Sequence, residues 1–210
     1  MSVRHDHGSP AADSDAIVAQ VTRVARLAYA QRLQTGNGGN LSARLADGER
    51  IVIKASGVSF ADCEAGGLVT VSLDGRKLAG EGQPSREIDT HLAIYRARPD
   101  VGGIFHCHSP WAVAAAVSGG ELPLHTFHAR SKLGRIPVLS LGSEASAEVA
   151  TAVEALVREA PEVKAFVQSQ HGIFSLAESV PTAFYQAELV EETAKIAWLL
   201  SAGGKVPVNG

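Results

Sequence analysis

From residue 41 to residue 78 the apolar residues fall in short runs, at 41–45, 51–53, 68–71 and 77–78. Each run is too brief for a helix, and turn residues such as Asp74-Gly75 set them apart. Runs of this kind pair as antiparallel strands, and the sheet they make needs apolar elements laid against its faces. The rest of the chain supplies them. Over residues 16–33, Ile17, Val21, Val24, Ala25, Ala28 and Tyr29 recur at three- and four-residue spacing, the stripe of an amphipathic helix capped by Asp13 or Ser14. The Gly/Asn-rich stretch from Thr35 to Asn40 breaks that helix. A second helix is predicted over residues 86–98, with Ser85 as N-cap, Glu87 in its first turn and Ile88, Leu92 and Tyr95 inward. A third covers 111–117, with Ser109 as N-cap and Pro110 at the first helical position. Others cover 144–159 and 181–200, the last stopped by Gly203-Gly204. Strands are expected at 101–108, at 136–141 ahead of Gly142-Ser143, and at 164–169. The expected fold is a single α/β domain over residues 16–200, a mixed and mainly antiparallel sheet covered by helices on both faces, with flexible tails at 1–15 and 201–210.

Composition narrows the function. Hydrophobic residues make up 45% and charged residues 20% of the 210, which supports a sizeable core and excludes a disordered or collagen-like chain. A formal net charge of −3 gives no general attraction to nucleic acid or an anionic membrane, so neither is an expected partner. No stretch approaches the ~18 consecutive apolar residues of a membrane span. Residues 1–15 hold no apolar run of the ~7–15 residues that a secretory signal requires. Cys63 and Cys107 are too few for a disulfide framework, and as free thiols they favour a cytoplasmic location.

His106-Cys107-His108 carries the most chemistry. On a strand, residues i and i+2 share a face, so both imidazoles can grip one ion while Cys107 turns to the other side as a core thiol. His171 ends the strand predicted at 164–169, beside Gly172, whose missing side chain lets backbone or ligand come close. Three histidines that leave a position open, optionally with a displaceable carboxylate, form the pattern of a catalytic zinc site. The same donors suit manganese, iron or cobalt. His5 and His7 share the spacing but lie in a tail with no rigid scaffold.

Five motifs occur in order: Gly38-Gly39-Asn40-Leu41-Ser42, Lys54-Ala55-Ser56-Gly57-Val58, Pro84-Ser85-Arg86-Glu87, His106-Cys107-His108-Ser109 and Gln170-His171-Gly172. With the segment from His91 to Asp100 they resemble the class II aldolase/adducin family over residues 16–200. That family includes fuculose- and rhamnulose-phosphate aldolases, ribulose-phosphate 4-epimerases, methylthioribulose-phosphate dehydratases, decarboxylases of sugar acids or hydroxylated aromatic acids, and the non-catalytic adducins. The resemblance implies that His106, His108 and His171 ligate a metal and that Glu87 is the acid/base group, which in the aldolases also approaches the metal. It makes Gly39, Asn40, Ser56, Gly57 and Ser85 the cradle of a small anionic substrate, phosphate or carboxylate. It also implies a homotetramer with active sites at subunit junctions.

Two departures bear on the reaction. Arg86 stands where the aldolases carry a second serine, and a guanidinium pairs bidentately with phosphate or carboxylate. Residues 122–134 hold no tyrosine where the sugar-phosphate aldolases place a proton donor that acts across a subunit interface. His125 or His128 could supply that proton instead, and Arg130 could steady a carboxylate. The expected activity is metal-dependent carbon–carbon cleavage, with aldol cleavage of a phosphorylated ketose first. A decarboxylase of a hydroxylated aromatic or oxo/sugar acid is the alternative, and an adducin-like interaction module is the alternative from another class.

Overall fold

The structure, a computed structural model, describes residues 10–141 and 145–202. After α1 (Pro10–Ala30), a meander of β1 (Asn40–Arg44), β2 (Arg50–Lys54), β3 (Leu68–Ser72) and β4 (Lys77–Ala79) forms one half of the sheet. Then α2 (Ile88–Ala97) leads to β5 (Gly103–Cys107), which pairs with β1. Beyond it come α3 (Pro110–Ala115), α4 (Phe127–Leu133), β6 (Val138–Leu139) and α5 (Ala147–Glu159). The hairpin of β7 (Ala165–Gln168) and β8 (Gly172–Ala177), followed by α6 (Val180–Ala202), completes the fold. The eight strands lie in the order β4-β3-β2-β1-β5-β8-β7-β6, and only the β6–β7 pair is parallel. This is the mixed, mainly antiparallel α/β sheet that the sequence pattern predicts.

Alternation along the strands sorts their side chains into two cores. Val52, Phe105, Cys107, Val167 and Ile173 pack with α1 and α6, while Ile51, Ile53, Ile104, Phe166 and Phe174 pack with α2 and α5. Each such fully buried side chain contributes about 1.5–3 kcal/mol. Cys107 therefore faces the layer opposite Ile104, as alternation requires.

Some elements differ from expectation. Residues 172–177 form a further strand, β8, buried on both faces, so no polar alternation marks it in the sequence. Residues 127–133 form α4, opened by Thr126, whose hydroxyl accepts from the Ala129 N–H at 3.1 Å, and closed by Gly134 at φ 71°. The helix predicted from residue 86 starts at Ile88, with Glu87 at the N-cap position instead of Ser85. Ser85 supports that start from outside, accepting from the Glu87 N–H at its hydroxyl and from the Ile88 N–H at its carbonyl. Ser109 does precede α3, yet its hydroxyl donates to the Leu33 carbonyl, and the Glu191 carboxylate of α6 accepts from the Trp111 and Ala112 amides in its place. The strand predicted at 136–141 shortens to Val138–Leu139, and α5 begins at Ala147 behind a Ser146 cap. α1 extends back to Pro10, into the segment expected as a tail. His5, His7, the Gly142-Ser143 turn with Glu144, and the Gly203-Gly204 stop lie outside the described residues. No helix among the described residues is long and apolar enough to cross a membrane.

Candidate active site

The motif loops meet at one end of the sheet. An isolated bridge between Ala55 and Pro84 ties the loop after β2 to the segment before α2, and the start of β1 lies beside the end of β5. Together the loops enclose a cavity of about 220 Å³, lined by residues 37–40, Lys54, Ser56, Gly57, residues 85–87, His108, Ala145 and His171. Gly39 is required here: its φ is +63°, and a Cβ would lie 2.8 Å from the His106 carbonyl oxygen.

His106, at the end of β5, is fully buried and stacks on Phe174 of β8 at 4.0 Å between ring centroids. Its Nδ1 donates to the Ile173 carbonyl at 2.8 Å, which leaves Nε2 as the lone-pair nitrogen. His108 lies just beyond the strand and is exposed. His171 sits in the β7–β8 hairpin loop behind Gln170, whose φ of 61° turns the chain there. A Cβ at Gly172 would fall 2.3 Å from the Cys107 carbonyl oxygen, so only glycine lets the β8 backbone approach β5 this closely. The Nδ1 of His171 donates to Gln168 Oε1 at 3.0 Å and turns its Nε2 inward as well.

The ligating atoms of His106, His108 and His171 lie within 4.8 Å of one another. His106 Nε2 is 3.1 Å from His108 Nε2 and 3.1 Å from Glu87 Oε2, and Glu87 Oε1 is 3.7 Å from His171 Nε2. Glu87 Oε1 is buried without a hydrogen-bond partner. Converging imidazole lone pairs and an orphaned carboxylate oxygen fit a divalent cation, which would satisfy all of them at once.

The electrostatics agree with such a set. Burial opposes the Glu87 charge, but His106 beside it, His171 and the Asn40 amide outweigh burial and hold the carboxyl down at about 2. Although His108 keeps part of its surface exposed, desolvation of its ring in the cluster, reinforced by His106, pushes it down to about 4; burial, reinforced by His106, pushes His171 down to about 3, so both offer free lone pairs at neutral pH.

The predicted anion cradle is brought together as well. Gly39, Asn40, Ser56, Gly57, Ser85 and Arg86 all line the cavity, although the Ser56 amide is already engaged with the Gln83 carbonyl at 2.9 Å. The Asn40 side chain is largely committed to protein: Nδ2 donates to Glu87 Oε2 at 2.6 Å, and Oδ1 accepts from His91. His125 and His128 do not reach this cavity in their own chain. Both are exposed, and His128 lines a separate groove with Lys132 and Tyr185. Arg130 donates to the Leu124 carbonyl and lies over the Phe127 ring, also away from the cavity.

Lys54 is a cavity residue to which the sequence motifs assign no role. It is almost wholly buried, donates to the Val58 carbonyl at 2.5 Å, and loses proton affinity through burial. Its signal is a lysine closing the apolar run Ile51-Val52-Ile53. His91, buried beneath Asn40, is a second such residue.

Residues 19–198 match the class II aldolase and adducin N-terminal domain, and the chain belongs to that family. Among solved structures it is similar to YgbL of Escherichia coli, a candidate aldolase/epimerase/decarboxylase, with 27% identity, 88% of this chain and 89% of that one covered, and a TM-score of 0.81. It is also similar to the L-fuculose-1-phosphate aldolase of Thermus thermophilus, with 27% identity, 91% and 98% covered, and a TM-score of 0.78. A further L-fuculose 1-phosphate aldolase shares 26% identity over 96% of this chain and 94% of its own, with a TM-score of 0.83.

Proposed function

We infer that the chain is a divalent-metal-dependent carbon–carbon lyase, and that its reaction is aldol cleavage of a phosphorylated ketose. The observation that carries this reading is the convergence of His106, His108, His171 and Glu87 at a cavity whose walls also hold the cationic side chains of Arg86 and Lys54. His106, His108, His171 and Glu87 would hold a divalent cation, zinc first and manganese, iron or cobalt by the same donor chemistry, and it would supply carbonyl polarisation and stabilisation of the negative charge left by bond cleavage. Glu87 Oε2 is held by Asn40, which leaves Oε1 as the oxygen that would meet the cation at rest and, once substrate displaces it, would take or give a proton. Arg86 and the backbone at Gly39 and Gly57 would hold the anion, with the Lys54 charge behind them.

By the family resemblance the protein would be a homotetramer with sites at subunit junctions, and the free thiols Cys63 and Cys107 favour a cytoplasmic location. His125 or His128 would then act from a neighbouring copy, consistent with their exposure and distance from their own cavity. Arg86 favours the second reading, a decarboxylase whose substrate carboxylate rests on the guanidinium.

The test is a screen of metal-loaded protein against a matched panel of ketose phosphates and hydroxy or oxo acids, with aldehyde and carbon dioxide read separately. Aldehyde release from a ketose phosphate is expected. Carbon dioxide without aldehyde would replace the aldolase with the decarboxylase, and absence of both products together with absence of bound metal would leave the adducin-like module.

A further inference from the structure

His91 has no part in the cation site, yet it is fully buried one helical turn after Glu87, its N–H donating to the Glu87 carbonyl at 3.2 Å. A buried imidazole needs partners for both ring nitrogens, and both are present. Nε2 is 2.5 Å from Asn40 Oδ1, and Nδ1 is 2.7 Å from Ser42 Oγ. An amide oxygen only accepts, so the proton is on Nε2. Nδ1 must then accept, and the Ser42 hydroxyl donates to it. The same hydroxyl oxygen is 2.9 Å from Tyr95 Oη, which donates to the Ser42 carbonyl at 3.0 Å. The Glu87 carboxylate only accepts, so the Asn40 NH₂ faces it, Oδ1 faces the protonated Nε2 of His91, and the Ser42 hydroxyl closes the row on Nδ1.

The consequence falls on Glu87. With Oδ1 pinned by His91, the Asn40 NH₂ points at Glu87 Oε2 and donates at 2.6 Å. An amide turned by 180° would put its oxygen against the carboxylate, two acceptors in contact, and would release Glu87 from its fixed rotamer. The row links two elements, β1 through Asn40 and Ser42, and α2 through His91, Tyr95 and its N-cap Glu87. We propose that His91 is a positioning residue, which through Asn40 fixes the Glu87 carboxylate with Oε2 bound and Oε1 free to exchange a proton. The proposal rests on Glu87 being the proton-transfer group of the preceding reading.

The experiment compares His91→Gln, His91→Asn and His91→Leu. A glutamine amide reaches the place of Nε2 and can donate to Asn40; an asparagine amide reaches only the place of Nδ1 and can serve Ser42 alone. The first readout needs neither metal nor substrate: the side-chain NH₂ resonances of Asn40 in ¹⁵N-labelled protein, assigned by their loss in Asn40→Ala. A proton bonded to a carboxylate is shifted downfield and exchanges slowly. His91→Gln is expected to keep that signature, whereas His91→Asn and His91→Leu lose it. The second readout is turnover of whichever substrate the lyase screen yields. There kcat should fall about 10- to 100-fold in the Asn and Leu variants, with KM within about twofold, and recover in the Gln variant. Equal Asn40 resonances in the Gln and Asn variants would overturn the proposal, and so would equal kcat losses. A retained NMR pattern with no substrate found would count against the lyase reading and leave the positioning geometry in place. If His91→Leu does not fold, the Gln and Asn pair still decides.

Discussion

Asn40 and His106 are direct partners across the antiparallel β1–β5 pair, and both reach the same oxygen of Glu87, at 2.6 Å from Asn40 Nδ2 and 3.1 Å from His106 Nε2. Residues opposite each other in such a pair present their side chains on the same face. Sheet register thus sets an amide donor and an imidazole side by side, and the start of α2 lowers a carboxylate onto them. A shift of one residue would turn Asn40 to the other core and leave Glu87 Oε2 without its amide.

The three histidines should differ in what their loss costs. His106 is fully buried, stacked on Phe174 and bonded to Ile173, while His108 is exposed past the strand end. His106→Ala and His108→Ala are each expected to strip most of the bound metal. Only His106→Ala should also weaken the metal-free fold, by about 2–4 kcal/mol, because it leaves a cavity and an unpaired carbonyl. His108→Ala should stay within about 0.5 kcal/mol of the parent. Elemental analysis and urea unfolding check both claims, and full metal occupancy in either variant would reject the ligand set.

The sheet-and-helix plan was legible because the β1–β4 strands are short and divided by turns and because α1 carries an apolar stripe at helical spacing. β8 was not, since a strand buried on both faces, with Ser175 buried among its apolar residues, shows no alternation to read. α4 was missed although its caps, Thr126 and Gly134, stand in the sequence, because its short span of mixed residues has little apolar stripe. At the site, the histidine pair could be read from strand alternation, and the motif loops from their residues and order. Lys54 and His91 could not, because their roles come from what lies above and below them: a ring of carbonyls around the ammonium, and the β1 side chains under α2.

Glu87→Gln separates binding from chemistry. Glutamine keeps the shape, and three imidazoles remain, so metal should be retained while turnover falls by ~10²–10⁴-fold, since an amide cannot exchange the proton. Parallel metal analysis and steady-state kinetics check it. Near-normal turnover would move the proton-transfer role to another group, with His125 and His128 the next to be replaced.

Acid should weaken the fold through His91. Burial lowers its pKa from 6.5 to about 3, so between these values the unfolded chain binds a proton that the folded chain refuses. Unfolding free energy therefore rises with pH in that window, by up to about 1.4 kcal/mol per unit for this one group, is complete above it and is lost as pH falls through it. His91→Gln removes the proton-binding group from both states. The slope of unfolding free energy against pH, measured on metal-free protein from about pH 4 to about pH 6, should flatten by close to one proton in that variant. An unchanged slope would mean that folded His91 already carries the proton.

Arg86 is the residue whose replacement best separates the two lyase readings. It lines the cavity just ahead of α2, and its charge is felt by His171, so a substrate anion resting there would meet the guanidinium and the helix N-terminus together. Losing such charge-assisted bonds costs about 1.5–3 kcal/mol of binding. Arg86→Ser restores the pattern of the sugar-phosphate aldolases. For a ketose-phosphate aldolase the change should cost little, because Ser85 and the glycine amides remain around the phosphate. For a decarboxylase whose carboxylate sits on Arg86, kcat/KM should fall ~10-fold or more, at about 1.4 kcal/mol per decade. Measuring kcat/KM for a ketose phosphate and for an acid substrate in both proteins distinguishes the cases, because only the activity whose anion depends on the guanidinium will drop. If neither changes, the phosphate or carboxylate is carried by Ser85 and the backbone amides, and Arg86 does not touch it.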